Sequence, residues 1–372
     1  YAFAMLHVEG ALNIDDPVSD YLDNWPVFKH PVTLRHLLTH TSGYREAYTP
    51  SLLAGRPIGV DRLSREECLN VVRRQPALEF IPGSRYTYNS TAWVILAEVL
   101  EKVTGEEADT WVETNILKPL EMNTTQIESY VGEVIDNAAE SYSGTDGNYA
   151  NEKSNRAIFG AADIFASVVD LAKWVNNYES TAVGGKEVNK LFLDPFILNN
   201  GTNSNYALGI RVSTHRGLKI YSHTGGHEGF STQVRYYPEH DVGVITISNY
   251  GGTGWISSAR IAELVLEDHM SESTDLDVTP IPIASEILEQ HAGQYLASTG
   301  NQIVNLSMSG DSLMFQRNNW LVPITSNEFR IKGYEHQFTF TSDNSFTIAS
   351  SNGTIEFNKI ENWVPEEADL RR

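Results

Sequence analysis

Three runs of strand-forming residues stand in a row late in the chain: Leu218–His223, Ser231–Tyr237 and Val242–Ser248. Turn-forming residues separate them, and Pro238-Glu-His-Asp241 reads as a hairpin turn between the second and third. Helical patterns lie on either side in sequence. Residues 92–103 read as a largely buried helix ended by Gly105. Val168–Val175 is apolar at helical spacing, and residues 256–270 return to a period of about 3.6. A short sheet embedded between helices implies an α+β domain with an antiparallel sheet.

The texture then changes. Ser271–Pro282 has no period, two prolines and little apolar content, as a linker does. From Ala292 to Phe357, strand-like segments recur about every 8–12 residues, a spacing that predicts a small all-β barrel or sandwich. Ser-Gly-Asp, Arg-Asn-Asn, Ser-Asp-Asn and Ser-Asn-Gly break them.

A chain of 372 residues accommodates one large domain and a small one. With 41% hydrophobic and 20% charged residues, its composition is that of a globular protein. The longest apolar runs fall far short of the ~20 residues of a membrane span. A net charge of -21 disfavours nucleic acid and anionic membranes as partners. The single cysteine, Cys68, allows neither an intrachain disulfide nor a thiolate metal site.

Several clusters carry possible chemistry. His36 and His40 lie four apart, which on a helix shares a face, but no Glu stands between them as in a zinc helix. Asp15-Asp16-Pro17 reads as a turn. In Pro82-Gly-Ser-Arg-Tyr-Thr-Tyr-Asn-Ser90, Tyr88 is either a loop aromatic or a proton carrier; Asn89 or Ser90 caps the following helix. A phenol, with an ordinary pKa near 10, acts as a base only beside cations. In Tyr221-Ser-His-Thr-Gly-Gly-His-Glu-Gly-Phe230, Gly225 and Gly226 make either a turn or a strand edge open to close approach.

Taken in order with Tyr1–Gly10, Thr33-Leu-Arg-His-Leu-Leu-Thr-His-Thr-Ser-Gly43 and Leu117-Lys-Pro-Leu-Glu-Met122, these stretches resemble the serine β-lactamase and penicillin-binding superfamily, in its class C-like, esterase and D-aminopeptidase branch. The resemblance covers residues 1–270. It implies that Tyr88 is the catalytic tyrosine and that Ser90, where many relatives carry Asn or Asp, joins it as a catalytic residue that hydrogen-bonds the substrate amide or the motif lysine. It implies that His223-Thr224-Gly225 replaces Lys-Thr-Gly, with His223 catalytic and Thr224, Gly225 and Gly226 binding substrate or oxyanion. His223 and a motif lysine would be the cations beside Tyr88. His227 has no role in the family pattern. Ala161-Ala162-Asp163 departs from the family's glycines, and His291-Ala-Gly-Gln-Tyr295 resembles the opening of the β-barrel often appended to such hydrolases.

No Ser-x-x-Lys occurs in the 372 residues. Aligning Gly10 with the family's glycine puts the lysine about five residues before Tyr1 and the serine about eight. The chain is therefore expected to be N-terminally truncated, with the nucleophile Ser and Lys absent and the fragment inactive. The expected organisation is a β-lactamase-like domain over 1–272, with a helical subdomain from 30 to 175, a linker over 273–283 and a β-barrel over 284–372. The expected parent is a serine hydrolase working through an acyl-enzyme on an ester, a D-amino-acid peptide or amide, or a β-lactam. No metal or cofactor is implied, the partner is a small-molecule or peptide substrate, and the resemblance implies a periplasmic or secreted location. The alternative is a non-catalytic module that binds a peptide or glycan in the same cleft.

Overall fold

A computed structural model describes residues 1–56, 61–145, 147–250, 257–271, 280–298, 303–315, 319–331, 337–350 and 353–360. The chain divides into two units, Tyr1–His269 and Met270–Arg372. Most of the stretch expected as a linker lies outside the described residues.

In the first unit, Arg211–His215, Leu218–His227, Phe230–Tyr237 and Val242–Ser248 form one sheet, each strand antiparallel to the next. Side chains alternate across it. Val234 and Tyr236 face one side, where the Tyr178 ring of helix Val168–Ser180 stands 5.7 Å from that of Tyr236. Gln233 and Arg235 face the other, where both hydrogen-bond the Ser258 hydroxyl, at 2.6 and 3.0 Å, at the start of helix Ser258–Leu266. The sheet is thus flanked by helices on both faces.

Gly225 and Gly226 lie inside the second strand, not in a turn. Pairing continues to His227 opposite Phe230, so the hairpin turns at Glu228-Gly229. A Cβ on Gly229 would fall 2.5 Å from the Tyr142 backbone, so only glycine fits there. Arg211–His215 pairs with Leu218–Ser222 alone. Among the described residues, His223–His227 therefore has a strand neighbour on one side only.

The helical part is built on Ser90–Thr104. Its N-cap Asn89 accepts from the Ala92 N–H at 2.8 Å, and Gly105 ends it at φ 73°. Val94, Ile95, Leu96, Val99 and Leu100 are all buried, so the helix is covered nearly all round. Leu34, Leu37 and Leu38 of helix Leu34–Leu38 join the same core. Each such fully buried side chain contributes about 1.5–3 kcal/mol. Helix Ala2–Val8 buries Phe3, Met5 and Leu6, and the Tyr1 ring packs edge-on against Trp174 and Phe192.

The second unit has a short helix, Ser285–His291, and eight strands from Gly293 to Lys359. They form a closed barrel, sealed where Tyr295 pairs with Lys359. Closure leaves no free edge, and Tyr295, Phe329, Phe338, Phe346 and Phe357 fill the interior. Of the expected turns, Arg317–Asn319 and Ser351–Gly353 lie outside the described residues except for their last residues, Asn319 and Gly353, which begin strands. Among the described residues no helix is long and apolar enough to cross a membrane.

Candidate active site

Just past helix Leu34–Leu38 the chain turns through His40, at φ 55°, and buries its ring. The His40 backbone carbonyl accepts from the Thr87 N–H at 2.8 Å, and its ring Nδ1 accepts from the Asn89 N–H at 3.0 Å. These bonds grip the chain on both sides of Tyr88, whose ring lies on His40 with centroids 4.1 Å apart.

The tautomers follow from the network. Because His40 Nδ1 accepts, its proton is on Nε2, which donates to the Tyr206 hydroxyl at 3.2 Å. Tyr206 in turn donates to His223 Nε2 at 2.9 Å. His223 Nδ1–H is left to donate to the Thr224 carbonyl at 2.7 Å. The bonds run in one direction, and both rings are neutral. Burial, helped by His223 and Arg211, pushes the His40 imidazole down to about 3. Burial also lowers His223, with Arg211 adding to the effect and the Thr224 carbonyl opposing it.

His223 was expected to be a cation beside Tyr88; in the structure, burial and its filled hydrogen bonds keep it neutral. The cation acting on Tyr88 is Arg211, whose guanidinium lies over the Tyr86 and Tyr206 rings at 5.6 and 5.7 Å. Burial raises the Tyr88 phenol, Arg211 lowers it, Glu46 raises it, and the net direction is up. Tyr88 is therefore a neutral phenol here, about half exposed at 48%.

Asn89 is locked into the framework, capping the helix and donating to the Tyr44 carbonyl at 2.6 Å. Ser90 is the first helical residue, its N–H bonded to Glu46 at 2.5 Å. His36 closes a capping box with Thr33, so the two histidines spaced four apart serve different partners.

His223 to His227 line a cleft of about 1470 Å³, walled opposite by residues of the 160–173 segment. Thr224, Gly225 and Gly226 are exposed. A Cβ on Gly226 would meet nothing within 4 Å, and one on Gly225 only Thr232, at 3.5 Å. Nothing inside the protein demands glycine at either position, and the small residues leave the edge open. Ile135, Ile164, Phe165, Val169, Phe230 and Ile247 give the cleft an apolar wall. Tyr88 is outside that lining and meets the His223 ring at 6.3 Å between centroids. The structure thus places Tyr88 beside His223, and Thr224, Gly225 and Gly226 along the cleft; Ser90 starts the helix that follows Tyr88.

The far end of the edge is ionic. Arg156 donates to Glu228 at 2.6 Å, to His227 Nδ1 at 3.1 Å and to the Tyr48 hydroxyl at 3.0 Å. His227 Nε2 faces Glu228 at 3.0 Å and Asp163 at 3.7 Å. Sequence reading assigned no role to these residues. His227-Glu228 next to a Gly-Gly pair is the only local signal; the partner Arg156 is 71 residues away.

Residues 1–266 match the family model described as Beta-lactamase. A D-aminopeptidase of Cereibacter sphaeroides is 26% identical over 254 residues, covering 68% of this chain and 48% of that protein. Penicillin-binding protein 4* of Bacillus subtilis is 26% identical over 321 residues, covering 80% of this chain and 69% of that protein. The chain spans about half the length of the D-aminopeptidase. Two solved structures share the fold. The octameric penicillin-binding protein homologue from Pyrococcus abyssi has a TM-score of 0.65 at 23% identity, over 95% of this chain and 85% of that one. The D-stereospecific amidohydrolase from Streptomyces sp. has a TM-score of 0.60 at 20% identity, over 70% and 82%. With residues 1–266 matched and this fold, the chain belongs to the beta-lactamase family.

Proposed function

We propose that the protein is a serine hydrolase that acts through an acyl-enzyme on amides or peptides of D-amino acids. The open edge from His223 to Gly226, exposed and beside an apolar wall, carries this proposal. An extended acyl group adds to such an edge as a further strand. Gly226 N–H is one donor to the carbonyl oxygen, Thr224 and Gly225 line the acyl chain, and Ser90 borders the leaving group. His223, held by Tyr206, orients the edge.

The nucleophile and its lysine belong to a Ser-x-x-Lys element that the 372 residues do not contain. The serine oxygen bonds to the carbonyl carbon and the C–N bond breaks. Its proton passes through the lysine and Tyr88 to the departing amine, and water then releases the acid. With the lysine ammonium added to Arg211, two cations favour the phenolate where one leaves the phenol protonated. The D-aminopeptidase relatives support D-amino-acid substrates over esters and β-lactams. A second proposal is a non-catalytic module holding a peptide or glycan in the same cleft; the open strand edge and its apolar wall suit recognition without chemistry as well.

Protein expressed from the complete reading frame, given D-phenylalanine p-nitroanilide and a fluorophosphonate, separates the two. Nitroaniline release with label on the serine of a Ser-x-x-Lys supports the hydrolase. Binding of the substrate without release or label supports the module. The 372 residues alone should turn over neither this substrate nor nitrocefin; turnover with label on one of their own serines would overturn the assignment.

A further inference from the structure

The two faces of the edge strand differ. Two-residue turns at Arg216-Gly217 and Glu228-Gly229 fix which backbone groups point where. The pair that flanks such a turn exchanges both hydrogen bonds, so His215–Leu218 and His227–Phe230 do so. Counted by twos from either turn, His223 and Gly225 bond to strand Phe230–Tyr237, while Thr224 and Gly226 turn their N–H and C=O groups to the free side. Directly paired residues share a face: Gly225 with Thr232, and Thr232 with Ile247. That face also carries His223, His227, Phe230 and Val234, and all of these line the cleft. The face of Gly226 carries Thr224, Ser231, Gln233 and Ser248, of which only Thr224 belongs to the lining. A Cβ on Gly225 would meet Thr232 and nothing else within 4 Å, so the cleft reaches down to the strand there. Phe165 stands edge-on to Phe230, with ring centroids 6.0 Å apart, and Ile247 is 41% exposed. The result is a hollow open to solvent with Thr232 at its floor and apolar side chains around it.

We propose that the hollow over Gly225 receives the side chain of the substrate's acyl residue, that it takes a large apolar one, and that the choice of face makes the site D-selective. This rests on the hydrolase proposal above, in which the acyl carbonyl accepts from the Gly226 N–H. Extended along the free side, the acyl residue also donates its own N–H to the Gly226 carbonyl, as an antiparallel partner does. An L-residue so paired turns its side chain to the face of its partner, toward Thr224 and Ser231. Its mirror image in the plane of the sheet keeps both hydrogen bonds and turns the side chain to the other face. A D-residue therefore points over Gly225 into the apolar hollow, where an L-residue meets polar side chains. Gly225 acts by what it lacks, because any side chain there stands on the same face and fills the hollow.

The test is calorimetry on the 372-residue chain with D-phenylalaninamide, L-phenylalaninamide and D-alaninamide. The wild type should bind D-phenylalaninamide at least about tenfold tighter than D-alaninamide, the scale of an aromatic ring taken from water, and at least about tenfold tighter than the L-amide. Gly225→Val places a branched side chain on a strand that favours one, with its Cβ at 3.5 Å from Thr232. It should narrow the ratio of the two D-amides to within about threefold. Ile247→Ser changes a side chain that is already partly in water; it should lower that ratio by about threefold and leave D-alaninamide binding unchanged. D-phenylalaninamide bound no tighter than D-alaninamide, or a ratio that neither substitution moves, overturns the hollow as the side-chain subsite. The L-amide bound as tightly as the D-amide overturns the choice of face. Binding of none of the three amides removes the subsite altogether. The hydrolase proposal survives each of these results, since it stands or falls on label and nitroaniline release by protein from the complete reading frame. Circular dichroism and urea midpoints matching wild type establish that the variants are folded; if Gly225→Val does not fold, Ile247→Ser decides alone.

Discussion

His223 and His227 are four residues apart on one strand edge and live in opposite chemistry. At the His223 end, Asn89, His40, Tyr206 and His223 use their donors and acceptors in one neutral file. At the His227 end, Arg156 and Glu228 are buried as ions, their side chains 9% and 7% exposed, and one Asp163 oxygen is left over. The lesson is that satisfied and unsatisfied networks do different work. A file with no spare donor or acceptor fixes shape, as the grip on Tyr88 does. A buried carboxyl with one oxygen lacking a donor holds its proton more tightly instead, as Asp163 does.

The contrast breaks most visibly at Tyr88. In protein that carries the Ser-x-x-Lys element, Tyr88→Phe keeps the ring on His40 and removes only the hydroxyl. A proton carrier lost there lowers kcat by about 10²–10⁴, with the unfolding midpoint little changed. A Phe variant within threefold of wild type would take Tyr88 out of the chemistry and leave the lysine as sole base.

At the ionic end the largest effect is on stability. Arg156→Met leaves Glu228 buried without its cation, a change that costs about 3–5 kcal/mol in urea unfolding. A loss below about 1 kcal/mol would mean that this pair behaves like a surface one.

Tyr206→Phe is the matching cut at the neutral end. It strands the His40 Nε2–H and frees His223 Nε2, and should cost about 1–3 kcal/mol. Ring ¹⁵N spectra should show wild-type His223 protonated on Nδ1 and titrating below the ordinary histidine range. A His223 titrating at about 6.5 would contradict the neutral file.

The two ends also differ in the sign of their pH dependence. Folded His40 takes a proton only near 3, whereas the unfolded chain takes it near 6.5, so stability drains away as pH falls through that window. Folded Asp163 holds its proton up to about 7 and the unfolded chain releases it near 3.8, so stability drains away as pH rises. Relative to wild type, Asp163→Asn should gain stability between about pH 4 and 7 and gain no more above that. A difference independent of pH would mean that Asp163 is ionised in the folded protein.

Much of the framework is legible locally. The apolar run after Asn89 and the stop at Gly105 mark the central helix, and the runs at 218–248 mark the sheet. The strand's passage through Gly225-Gly226 is not, because pairing with Thr232 and Ser231 supplies what two glycines lack. Barrel and sandwich share one local spacing; only the Tyr295–Lys359 pairing, 64 residues apart in number, decides between them. Tyr88 and His223 stand out through their motifs. His40 does not, since its partners lie 49 and 166 residues away, and neither does the Arg156–His227 contact.

The central claim is that the half-strand with one free side is the ligand edge. Titrating the ¹⁵N-labelled 372-residue chain with D-phenylalaninamide tests it most directly. The amides of Thr224, Gly225, Gly226 and His227 should shift together with a single affinity, while those of Tyr221 and Ser222, paired on both sides, stay in place. Equal shifts along both halves, or shifts confined to another part of the protein, would contradict it.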